Sequence, residues 1–225
     1  MITSKQVADF KESFCDENKI IPNLLKDNFK GLIKYPILDI GSGLGDISSF
    51  AFSDKEVIHL DTEDYSFYKI PENHKRVISD FFTYQPDIKI KTLLLSHILQ
   101  FIDDDIEKLN QKIKSINPNF ILIARNTNDD FMATLMNWFD KQKIISNQEK
   151  IIANFPAGYI ESKKSNFVAN LICPDYKTLT EQISYLWDVK LSDEQGKSLE
   201  DFLKQNLSTP AFQIHQGIIL YSVES

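Results

Sequence analysis

The sequence has little cysteine, little histidine and no long apolar run, and each shortage excludes something. Cys15 and Cys173 lie far apart and fit no metal-ligand spacing. A disulfide scaffold is therefore excluded, and two reduced thiols in a reducing compartment are expected. The four histidines, His59, His74, His97 and His215, are scattered without metal-site spacing, so no metal is expected. No apolar run approaches the roughly 18 residues of a membrane span, and the opening "MITSKQVADF" lacks the apolar core of a secretion signal. The expectation is a soluble cytoplasmic protein with no membrane partner. Basic residues are outnumbered, 25 Lys and Arg against 32 Asp and Glu, for a net charge of −7. That balance disfavours broad electrostatic binding of DNA or RNA, so no nucleic-acid partner is expected. What is present is 225 residues, 42% of them hydrophobic, enough for one domain with a buried core.

Along the chain, Thr3 or Ser4 can cap a helix whose Val7, Phe10 and Phe14 share a face. A second amphipathic stretch, "IIPNLLKDNFKG", stops at Gly31. The pattern then changes to short apolar runs: "YPILDI", "EVIHLD" (56–61), "RVISDFF" (76–82), the start of "KTLLLSHILQFI" (91–102) and "NFILIARN" (119–126). Runs of this kind suit parallel strands covered on both faces. Between the last two lies "DDDIEKLNQKIKSIN" (103–117), acidic at its start and basic near its end, with Ile106, Leu109, Ile113 and Ile116 on one face. It reads as a helix. Alternating strand and helix predict an open, doubly wound, mostly parallel α/β sheet. Beyond residue 127, "NDDFMATLMNWFDKQ" and "LSDEQGKSLEDFLKQN" read as helices and "SNFVANLICP" as a strand. The closing "FQIHQGIILYSVE" is strand-like, with Gly217 marking a turn or bulge.

Three of the seven glycines fall within five residues, in "ILDIGSGLGDISSF" (37–50), between a strand and a helix. A dinucleotide would need G-x-G-x-x-G and a helix N-terminus open to its pyrophosphate. Gly41 and Gly43 fit, but the third position is Asp46, whose carboxylate would occupy the anion site and repel phosphate. The actual spacing is D-x-G-x-G-x-G, from Asp39, Gly41, Gly43 and Gly45. This resembles motif I of the class I S-adenosylmethionine-dependent methyltransferases, whose cofactor carries a cationic sulfur and no phosphate. The resemblance continues in order over residues 37 to 126. Asp61 ends the second run, 22 residues after Asp39, where the family places an acid on the ribose hydroxyls. Asp80 stands where the family bonds the adenine amino group, with Phe81 near the ring. "SHILQFIDDD" (96–105) is similar to the S-H-x-x-x-F/Y-I-D segment of many small-molecule methyltransferases.

The resemblance implies a seven-stranded, mostly parallel sheet with a helical cap. It implies S-adenosylmethionine as cofactor, held by Asp39, Gly41, Gly43, Gly45, Asp61, Thr62, Asp80, Phe81 and Ser96. Asp39 lies inside its strand and reads as mainly holding the loop by accepting backbone N–H bonds, with indirect contact to the cofactor's amino group. His97 either removes a proton from the acceptor, or orders the following loop or lines the cofactor pocket. In-line transfer from an activated methyl needs alignment more than it needs a base. Arg125 and Asn126 end the fifth run and either face the acceptor or serve structure. Tyr159, Glu161, Tyr185 and Trp187 either line a pocket or pack the core. The expected layout is one domain, residues 1–225. Lid helices occupy 1–35, the cofactor core 36–126, a substrate cap 127–210 and a terminal strand 211–225. No Asn-Pro-Pro-aromatic motif, which in the family accompanies methylation of nucleobase or glutamine amide nitrogens, follows the fourth run. The expected activity is methyl transfer to a small-molecule acceptor, by a monomer or homodimer. The alternatives are a catalytically silent scaffold of the same fold and a protein or RNA methyltransferase.

Overall fold

The structure, a computed structural model, describes residues 14–99, 102, 106–127, 130–139, 142–155, 157–186 and 189–224. Thr3, Ser4, Val7 and Phe10 of the expected first helix, the acids at 103–105 and Trp187 lie outside those residues, as does the side chain of Tyr185.

The apolar runs form strands β1 (Ile37–Ile40), β2 (Val57–Asp61), β3 (His74–Ile78), β4 (Thr92–Ser96) and β5 (Phe120–Asn126). Two longer strands follow, β6 (Tyr159–Ile172) and β7 (Ala211–Val223). All seven join one sheet in the order β3-β2-β1-β4-β5-β7-β6. Strands β1 to β5 are parallel, and β7 pairs antiparallel with β5. The helices are α1 (Glu17–Leu24), α2 (Asp46–Ala51), α3 (Ile106–Ile116), α4 (Asp130–Trp138), α5 (Gln142–Ala153), α6 (Tyr176–Leu186) and α7 (Asp193–Asn206). A π-helical turn, Leu25–Phe29, prolongs α1 to the vicinity of Gly31.

Continuous burial of β1, β2, β4 and β5 reflects apolar cover on both faces. One cluster joins Leu38, Leu60, Leu93, Leu95, Ile121 and Ile123 to Leu109, Ile113 and Ile116 of α3. The other joins Ile37, Val57, Leu94 and Leu122 to Ile21, Leu25 and Phe29 and to Ile47 of α2. The chain divides into two compact units. The larger is Ile21–Phe167 with His215–Ser225; the smaller pairs the segment up to Ile20 with Val168–Ile214. In the smaller unit, α7 opens on a capping box, where Ser192 accepts from the Gln195 N–H and Gln195 returns a bond to the Ser192 N–H.

Several elements depart from the sequence reading. β3 starts two residues earlier than Arg76 and stops at Ile78, so Asp80 and Phe81 lie in a turn. Phe14 is in a turn whose carbonyl accepts from the Ile172 N–H, because the adjoining Cys15 pairs with Leu171. Gly217 is neither turn nor bulge: it pairs with Arg125 in mid-strand, and a Cβ there would meet Asn166 Oδ1 at 3.2 Å. Helices α5 and α6 had no counterpart in the sequence reading. In α6 the buried positions include Thr180, Gln182 and Ser184, so polarity hides its periodicity.

Candidate functional site

Parallel strands deliver their carboxyl ends to one edge of the sheet, where open α/β folds bind ligands. Here that edge carries the glycine-rich loop between β1 and α2, Asp61 at the end of β2, Asp80 after β3, and Ser96 and His97 at the end of β4. All belong to the larger unit.

The loop owes its path to left-handed backbone at Gly41, Gly43 and Gly45, with φ of 63°, 53° and 76°. The three positions have different surroundings. A Cβ on Gly41 would strike the Ile98 side chain, and one on Gly45 would lie 2.6 Å from His59 Nδ1. A Cβ on Gly43 would meet nothing within 4 Å. The loop is thus packed at both ends and open at its middle. Asp61 stands against that open middle. Its Oδ2 accepts from the Gly43 N–H at 2.8 Å and its Oδ1 from the Glu63 N–H at 3.1 Å. Each oxygen keeps a lone pair for a further donor. Buried hydroxyls of Ser42, on the loop, and Ser96, at the end of β4, have no hydrogen-bond partner. Such orphans fit a polar ligand more readily than a sealed turn.

Beneath the loop runs a polar row that the sequence reading missed. Asp39 pairs with His59 across β1 and β2, and His59 with Arg76 across β2 and β3. Asp39 is 3% exposed and His59 1%. Asp39 was expected to hold the loop by accepting backbone N–H bonds; among the described residues its carboxylate instead meets side chains. Its Oδ2 accepts from the Ser48 hydroxyl at 2.5 Å, with His59 Nδ1 3.5 Å away. His59 Nε2 lies 2.9 Å from His74 Nδ1, and His74 Nε2 3.2 Å from the Phe52 carbonyl. That carbonyl can only accept, which assigns the proton to His74 Nε2 and makes its Nδ1 the acceptor from His59. Burial, foremost, holds the His74 pKa below its ordinary value. Arg76 reaches over the row to the Gly43 carbonyl at 3.1 Å and the Leu44 carbonyl at 2.5 Å. Burial also pulls the Arg76 pKa down, against the opposing charges of Asp61, Asp64 and Asp39. A signal for this row existed in the sequence. Asp39 and His59 each interrupt an apolar strand, and Arg76 stands two residues before Ile78, which pairs with Asp61 two residues after His59.

The remaining expected residues are placed as follows. Thr62 is exposed beside Asp61. Asp80 Oδ1 accepts from the Phe82 and Thr83 N–H groups, closing the turn after β3. Phe81 is 7% exposed, packed in the core against Phe82. His97 is half-buried with φ of 53°, and its N–H donates to the Ala124 carbonyl. Left-handed backbone on a non-glycine residue costs about 1–3 kcal/mol and concentrates at functional sites. Arg125 is buried and paired with Glu149 at 2.6 Å, while Asn126 accepts from Gln216. The Tyr159 hydroxyl donates to the Pro118 carbonyl, its ring edge-on to Phe155, so its part is packing. Glu161 is exposed. Asp46 is buried in the first turn of the six-residue α2, where its carboxylate would repel a pyrophosphate. Among the described residues, no group of three or more His, Cys, Asp or Glu could hold a metal, and no helix is long and apolar enough to cross a membrane.

No family model matches the chain. No curated protein sequence matches it either. Solved structures do. The YcgJ protein of Bacillus subtilis aligns over 92% of this chain and 99% of its own, at 15% identity and a TM-score of 0.61. The plantazolicin methyltransferase BpumL, solved with S-adenosylhomocysteine, aligns over 98% and 90%, at 13% identity and 0.55. Human N-acetylserotonin methyltransferase, solved with S-adenosylmethionine, aligns over 99% of this chain and 55% of its own, at 11% identity and 0.56. At such identities the likeness speaks for architecture, and it agrees with the strand order derived above: the chain has the class I S-adenosylmethionine-dependent methyltransferase fold.

Proposed function

We propose that the protein is an S-adenosylmethionine-dependent methyltransferase acting on a small-molecule acceptor. The observation that carries this reading is the carboxylate of Asp61 set against the open middle of a loop with three left-handed glycines. Two free-standing hydroxyls, Ser42 and Ser96, flank the same edge. Asp61 would receive the ribose hydroxyls, and Asp80, Phe81 and Thr62 would border the base. The bare backbone at Gly43 admits close approach, and the carboxylates nearby suit a cation. When bound, the cofactor supplies an electrophilic methyl group on a positive sulfur. The chain's task is then to hold an acceptor in line with it, which lowers the barrier without covalent chemistry. His97, at the same edge, would take the acceptor's proton as neutral imidazole, or else order the next loop or line the cofactor pocket. The acidic net charge and "SHIL" in place of an Asn-Pro-Pro-aromatic motif favour a small molecule over a nucleobase or glutamine amide. Cys15 and Cys173, neither in a disulfide, fit a cytoplasmic location.

Calorimetric titration with S-adenosylmethionine and S-adenosylhomocysteine tests the first step. Wild type is expected to bind both, and Asp61→Ala to bind at least tenfold more weakly, the scale of a lost charge-assisted pair of bonds. Unchanged affinity in Asp61→Ala would remove the ribose assignment. Absence of heat with wild type would remove the function.

A further inference from the structure

We propose that Arg76 is a positioning residue that fixes the cofactor loop, a role that rests on the function proposed above. Its guanidinium presents Nη1 to the Gly43 carbonyl and Nη2 to the Leu44 carbonyl, two consecutive peptide planes of the glycine-rich loop. The same Nη2 lies 3.4 Å from the Tyr68 carbonyl, in the connection between β2 and β3. Arg76 therefore ties together the two loops between which Asp61 stands. The peptide group is planar and trans, so drawing the Gly43 carbonyl toward Arg76 turns the Leu44 N–H to the opposite side. Asp61 takes the Gly43 N–H from its own strand. One loop of glycines, with little conformational preference of its own, is thus held by an anion on its amide and a cation on its carbonyls.

The register explains why an arginine does this. Arg76 lies in β3 beside His59, on the polar row, and its head must cross from the edge strand to the loop after β1. A lysine could reach one carbonyl with a point charge, but only a planar fork serves two adjacent ones in fixed geometry. The buried Nε has no hydrogen-bond partner. An orphaned buried donor costs stability, so the side chain is not there for its own comfort. The carbonyl pair is what offsets it.

The test compares wild type, Arg76→Gln, Arg76→Lys and, as control, Lys75→Gln, whose exposed side chain alternates to the other side of β3. Hydrogen exchange of the ligand-free protein is measured first. Both Arg76 variants are expected to speed exchange at least tenfold in residues 41–47 and 65–69, with β1 and β4 unchanged and melting showing a folded chain. Calorimetry with S-adenosylhomocysteine is expected to give affinity at least tenfold weaker for Arg76→Gln and little restored in Arg76→Lys, with Lys75→Gln within twofold of wild type. Full recovery in Arg76→Lys would show that charge, not the fork, matters and would overturn the proposal. So would unchanged exchange in the two loops. If wild type itself fails to bind the nucleoside, the proposed function falls, and the exchange comparison still decides whether Arg76 orders the loops.

Discussion

Gly43 and Gly45 are two residues apart, share left-handed backbone and carry different burdens. At Gly45 a methyl group would press on the His59 ring, itself held by Asp39, Ser48 and His74. At Gly43 a methyl group would enter open space. Gly43→Ala is expected to cost about 1–2 kcal/mol, the backbone penalty alone. Gly45→Ala adds a displaced buried ring, so its loss of melting temperature should be at least twice as large. Both should weaken S-adenosylhomocysteine binding, Gly43→Ala out of proportion to its small stability cost. Thermal melting beside calorimetry checks the pair, and equal losses of melting temperature would contradict the packing described at Gly45.

At the scale of elements, strands β1, β2 and β3 share a polar row inside an otherwise apolar sheet face, and the row makes stability depend on pH. The His74 pKa is lowered, mainly by burial, with the like charge of His59 adding to the effect and Asp39 opposing it. Backbone hydrogen bonds from this ring at Phe52 and Lys55 also oppose the lowering, and Arg76 stands on the same strand. A lowered histidine pKa means that the fold prefers the neutral ring. As pH falls below 6.5, the ordinary value, the unfolded chain takes up the proton first. The contribution of His74 is therefore complete above 6.5 and is lost as pH falls through the lowered folded value. Melting temperatures of wild type and His74→Gln should run parallel above about pH 7 and converge below about pH 6. Parallel curves through that range would show that His74 does not titrate with unfolding.

At the scale of the whole molecule, a ligand that binds only the folded state stabilises by mass action. At one hundred times its dissociation constant, S-adenosylhomocysteine should add about 2.7 kcal/mol. For a chain of this length that is a rise of about 5–10 °C in melting temperature. NADH should leave the melting temperature unmoved, because buried Asp46 sits in the first turn of α2. A rise with NADH and none with the sulfur nucleoside would reverse the choice between the two ligands.

The apolar runs at 37–40, 57–61, 92–96 and 120–126 were legible because strands buried on both faces have no polar alternation to hide them. The glycine spacing was legible because left-handed backbone selects glycine directly. Helix α6 was not, since its buried face includes Thr180, Gln182 and Ser184, and the Thr180 and Ser184 hydroxyls donate to carbonyls of the helix itself. Arg76, His59 and His74 read as isolated polar residues in unrelated strands. Only lateral pairing of β1, β2 and β3 puts Asp39, His59 and Arg76 in one row under the loop, with His74 within hydrogen-bond distance of His59.

The sequence by itself determined the ordered alternation of strand and helix, the turn after β1 and the acid at the end of β2, because each follows from local backbone preference or apolar pattern. The tertiary structure alone decided that β6 and β7 both join the sheet, with β7 antiparallel beside β5. It alone decided that Asp61 faces the Gly43 amide and that Arg76 reaches the loop's carbonyls. Those contacts join residues 18 to 33 positions apart, and strand order and register bring them together where no local pattern could.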